Sequence, residues 1–64
     1  MSKFIEFRKV GANLQVINRK HGSLLGEIFY YGPWRQPCFF PVEGAVFNDE
    51  CLLDILVQIK NLKN

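Results

Sequence analysis

Over the first half of the chain, apolar and polar positions trade places every residue or two, and short glycine-containing tripeptides interrupt them. Phe4, Ile5 and Phe7, broken by Glu6, Arg8 and Lys9, predict a strand over 3–10. Gly11-Ala12-Asn13 reads as a turn, because Gly and Asn tolerate positive φ. Leu14 and Val16 alternate with Gln15 and Ile17 in a second strand over 14–20, closed by a turn at His21-Gly22-Ser23. The third strand, 24–31, is Leu-Leu-Gly-Glu-Ile-Phe-Tyr-Tyr, with Ile28 and Tyr30 on one face and Leu25, Phe29 and Tyr31 on the other. Gly26 inside it predicts a bulge or a close backbone approach. Gly32-Pro33 ends that strand, since Pro fixes φ and has no N–H for a ladder. Pro37 and Pro41 bracket Cys38-Phe39-Phe40 in a fourth strand at about 38–42, and the two prolines place it at a sheet edge.

From residue 48 the period lengthens to that of a helix. Leu52, Ile55, Leu56, Ile59 and Leu62 follow the i, i+3, i+4 pattern of one buried stripe, widened by Leu53 and Val57, with Asp54, Gln58 and Lys60 away from it. Asn48 is a good N-cap, and Phe47 and Leu52 are placed for a hydrophobic staple. Asp49 and Glu50 near the start, and Lys60 and Lys63 near the end, suit the helix dipole. These elements predict an α+β fold: a four-stranded antiparallel sheet, a β-meander, with one C-terminal helix over about 48–62 packed on it, all in one domain spanning 1–64.

That architecture has a surface consequence. A helix is ~10 Å wide with its side chains, whereas four strands at ~4.8 Å spacing make a sheet nearly twice that width. One helix leaves part of one face and all of the other uncovered. Both faces carry apolar groups, so aromatic surface is expected to remain for a partner, a second copy of the chain included. A 64-residue chain also buries only ~60% of its unfolded surface, which makes a homodimer an economical way to enlarge the core.

Composition refines this picture. Apolar residues make up 48% and charged residues 22%, as in folded domains, and six of the nine aromatics are Phe. Eight basic and six acidic residues give a net charge of +2, too little to imply nucleic acid by itself. No charged start followed by an apolar run is present, and no apolar stretch approaches the ~20 residues of a membrane helix. With only Cys38 and Cys51, a disulfide framework is not expected, and the reading is a cytoplasmic protein with reduced thiols.

Residues for chemistry are sparse. His21 is the single histidine and falls in a turn. A Cys–His nucleophile would need His21 to meet Cys38 or Cys51 with an orienting group behind it. Cys51 sits in the first helical turn, where the dipole lowers a thiol pKa, but a small core-facing cysteine is the simpler reading. Two Cys and one His have no paired spacing for a metal. Glu27, Glu43 and Asp54 form no acid–base pair, and no phosphate-cradling loop occurs. The expectation is a non-enzymatic protein with no cofactor and no metal.

The most distinctive stretch is Gly26 to Pro41. Tyr30, Tyr31, Trp34 and Arg35 crowd one end of a hairpin, and Trp, Tyr and Arg dominate binding hot spots. They are the expected partner-binding residues. The same rings could stack unpaired bases. The alternative is therefore a small basic sheet domain that binds nucleic acid through Arg8, Lys9, Arg19 and Lys20 together with the aromatics.

Gly26-x-Ile28-x-Tyr30, Trp34, Phe40-Pro41 and an N-capped helix of Leu52, Ile55, Ile59 and Leu62 resemble a pattern of short phage and prophage accessory proteins. The likeness covers residues 24–64, and the insertion of Arg35-Gln36-Pro37-Cys38 between the Trp and the Phe-Phe-Pro departs from a tighter spacing. The resemblance implies a protein that binds and blocks a host factor, such as a nuclease or a defence complex, in the host cytoplasm. It assigns no functional residues.

Overall fold

A computed structural model describes residues 3–63. The order of elements is β1 (Ile5–Val10), β2 (Asn13–Asn18), β3 (Leu24–Tyr31), a 3-10 turn (Gly32–Trp34), β4 (Gln36–Pro41) and α1 (Asp49–Lys63). The four strands form one antiparallel sheet in the order β1-β2-β3-β4 with α1 after it, the α+β meander that the alternation predicts.

Cross-strand pairing defines the two faces. Phe7 pairs with Val16, Leu14 with Ile28, and Ile28 with Phe39. Ile5, Val16 and Ile28 of that face are buried and join Cys51 and Ile55 of α1 in the core, with Phe7, Leu14, Phe39, Phe47 and Ile59 packed around them. Among the described residues the opposite face carries no helix.

Several local details refine the sequence reading. β2 stops at Asn18, two residues short of the expected end. The Asn18 side-chain oxygen accepts the N–H groups of Lys20 and His21, and its carbonyl accepts that of Gly22, so Asn18 starts the turn itself. β3 carries the irregularity that Gly26 predicts. Val16 pairs with Gly26 but Ile17 with Leu24, which leaves Leu25 as the extra residue of a bulge. The bulge corrects one face assignment: Leu25 packs against the helix-side core, not beside Phe29 and Tyr31.

β4 is an edge strand, as its prolines require. Val42 donates its N–H to the Leu25 carbonyl, so the even positions of β4 turn their amides to β3. Pro37 and Pro41 fall at odd positions, where no ladder bond is lost, and they blunt the edge against further pairing.

The helix begins as expected. Asn48 caps it by accepting the Cys51 N–H on its side-chain oxygen at 2.9 Å and the Leu52 N–H on its carbonyl at 3.0 Å. Its rotation differs from the expected stripe. Cys51, Ile55 and Ile59 meet the sheet, while Leu52 and Leu56 are exposed, and Asp54 and Gln58 are partly covered. The physical reason is that α1 is apolar over most of its circumference. Two overlapping stripes fit the periodicity, and the small Cys51 side chain belongs to the one that lies against the strands. No helix among the described residues is long and apolar enough to cross a membrane.

Candidate partner-binding surface

Residues two apart in a strand share a face. The β3–β4 register therefore sets Glu27, Phe29 and Tyr31 beside Phe40, Cys38 and Gln36 on the face away from α1. Phe29 and Phe40 are diagonal neighbours, and their rings stack at 3.9 Å with 3° between planes. Tyr31 meets the Phe40 ring at 5.7 Å and 67°, and Trp34 at 5.3 Å and 88°. The two edge-on contacts suit the ring quadrupoles. Four aromatic side chains thus form one connected plate.

The turn presents the outermost ring. Pro33 occupies the start of the 3-10 turn, and Arg35 closes it in the left-handed region, φ 53°, donating its N–H to the Gly32 carbonyl at 3.0 Å. The turn lifts Trp34 to the end of the plate, where it touches Tyr31 edge-on yet remains 66% exposed.

The four residues expected from sequence are not one cluster. Tyr31 and Trp34 belong to the plate. Tyr30 is on the helix side, opposite Pro37, and is 64% exposed there. Arg35 is exposed at the turn. Phe29 and Phe40 are members that residue type and closeness in sequence do not single out. The alternation signals them: odd positions of β3 and even positions of β4 share a face once the two strands are paired.

The basic residues are spread out. Arg8 shares the plate's face but lies on β1, the edge strand farthest from β4. Lys9 is on the helix side. Arg19 donates from a guanidinium nitrogen to the Ile5 carbonyl at 3.3 Å, and Lys20 sits in the Asn18 turn.

Residues with other chemistry stand apart. Cys51 is buried under α1, whereas Cys38 is half-buried on the opposite face of the sheet, and both are free thiols. His21 is exposed in a turn. Among the described residues no three His, Cys, Asp or Glu side chains are grouped to hold a metal ion. A shallow cleft of about 250 Å³ at the start of α1 is lined by Phe4, Leu25, Phe47 and Cys51 among others. Comparison with protein-family models, with curated proteins and with solved structures finds no match for this chain.

Proposed function

We propose that this chain is a small non-enzymatic binding protein that occupies a partner protein's surface through the aromatic plate of Phe29, Tyr31, Trp34 and Phe40. The observation that carries this reading is Trp34, a large ring left two-thirds in water at the end of a connected aromatic surface. Exposed apolar patches mark interaction sites, and Trp and Tyr anchors surrounded by packed neighbours are the usual centres of binding energy. Phe29, Tyr31 and Phe40 stand on β3 and β4 and Trp34 on the turn between them, so the action is steric: the plate covers a surface instead of enclosing a substrate. The resemblance to phage accessory proteins supplies the class of partner, a host nuclease or defence complex whose working surface is blocked.

A nucleic-acid platform would set its cations beside the stacking rings to track the backbone. Arg8, Lys9, Arg19 and Lys20 are instead divided between faces and between the strand and turn positions around β1 and β2, which favours a protein partner.

The test is capture from host-cell lysate by the immobilised chain, with and without nuclease, over a range of salt. A protein retained after nuclease treatment and lost with Trp34→Ala supports the proposal. Loss of binding on nuclease treatment, or a steep fall with salt, transfers the reading to nucleic acid.

A further inference from the structure

The outward face of α1 is a second uncovered surface, on the layer opposite the plate. Leu52, Leu53, Leu56 and Val57 are 52, 60, 47 and 45% exposed. Positions 49, 53, 56, 60 and 63 recur at steps of four and three, the spacing that keeps residues in line along a helix–helix seam. In this chain they are Asp49, Leu53, Leu56, Lys60 and Lys63, flanked by Leu52 and Val57. The seam is acidic at its first turn, apolar in the middle and basic at its last turn.

We infer that this seam binds a second copy of the chain, helix against antiparallel helix, about a two-fold axis at Leu56. Reversal about residue 56 carries position 49 onto 63 and positions 52 and 53 onto 60 and 59. Asp49 then faces Lys63 of the second copy, Leu52 and Leu53 lie along the methylene stem of its Lys60, and Leu56 meets Leu56. A parallel pair would set Asp49 on Asp49 and Lys60 on Lys60. Opposed helix dipoles favour the antiparallel arrangement further. A two-fold contact requires one self-complementary patch, and this charge order supplies it. A 15-residue helix is about 22 Å long, so the contact falls near the lower end of stable interfaces, ~1,000 Å², and association depends on concentration. The dimer leaves the aromatic plate open, so this inference stands or falls independently of the proposed function.

Sedimentation equilibrium over a micromolar series is the test, with cysteine cross-linking in a Cys38→Ser background. The mass is expected to rise from one chain to two, and Leu53→Asp, at an exposed site, to abolish the rise while the circular dichroism stays unchanged. Leu56→Cys is expected to cross-link to itself under mild oxidation, whereas Leu53→Cys and Lys60→Cys, each alone, do not. A monomer at every concentration overturns the inference. So does a dimer indifferent to Leu53→Asp, or self-cross-linking at Leu53→Cys or Lys60→Cys, which marks a parallel pair.

Discussion

Gly26 of β3 lies directly beneath the ring of Phe39 on β4: a Cβ at residue 26 would stand 2.6 Å from Phe39 Cε1 and 2.8 Å from the Phe40 carbonyl oxygen. The ring covers the backbone that the missing side chain leaves bare, and it also meets Phe47 edge-on at 5.3 Å just before the helix. Gly26 thus lets β4, the core and the start of α1 close together. Gly26→Ala is expected to cost about 1–3 kcal/mol through overpacking, because the ring can swing aside but the Phe40 carbonyl cannot. Gly32, which has open space around its Cβ position, is the control. Urea midpoints for Gly26→Ala and Gly32→Ala compare them; equal midpoints would show that the strand pair relaxes freely.

Helix rotation can be checked by a pair of adjacent truncations. Ile55 is buried in the core and Leu56 is half-exposed on the outward face. Ile55→Ala is expected to cost about 2–5 kcal/mol, and Leu56→Ala much less in the monomer. Melting at low protein concentration separates the two. An unchanged midpoint for Ile55→Ala would assign the buried stripe to the wrong side.

The cap offers a smaller effect. Asn48→Ala removes the acceptor of the Cys51 N–H and is expected to lower stability by ~1 kcal/mol. Asn48→Asp should retain most of the cap, because a carboxylate accepts the same bond and suits the helix N-terminus. Chemical denaturation of the two variants checks the order.

The thiols should react in sequence. Cys38 is half-buried on the open face and Cys51 is buried beneath the helix. A thiol reagent is expected to modify Cys38 in the native protein and Cys51 only on unfolding. The sheet separates the two, and disulfide geometry needs Cα atoms within ~7 Å. Mass spectrometry of protein purified without reductant should find no internal disulfide; a quantitative Cys38–Cys51 bridge would contradict this placement.

Much of the architecture is local in origin and was therefore legible along the chain. The alternation of Phe7 with Glu6 and Arg8 and of Leu14 with Asn13 and Gln15, Asn48 before an apolar period, and the prolines around Phe39 each act within a few residues, through backbone sterics and side-chain parity. They specify the strands, the helix start and the edge position of β4. Gly26 even announced its bulge. Which way Leu25 points was not local: one extra residue in β3 turns it to the core, and only the pairing of Ile17 with Leu24 reveals this.

The same division runs through the candidate surface. Composition singled out Tyr30, Tyr31, Trp34 and Arg35 because they are close in sequence, yet adjacent strand residues face opposite ways, and Tyr30 left the group. Phe29 and Phe40 joined it because β3–β4 register brings distant positions together. The rotation of α1 likewise needed the tertiary structure. Period alone cannot choose between overlapping apolar stripes, and the choice went to the face whose small Cys51 and branched Ile55 fit against the sheet. The sequence by itself determined elements, their order and an excess of apolar surface over what one helix can cover; packing decided which residues that surface contains.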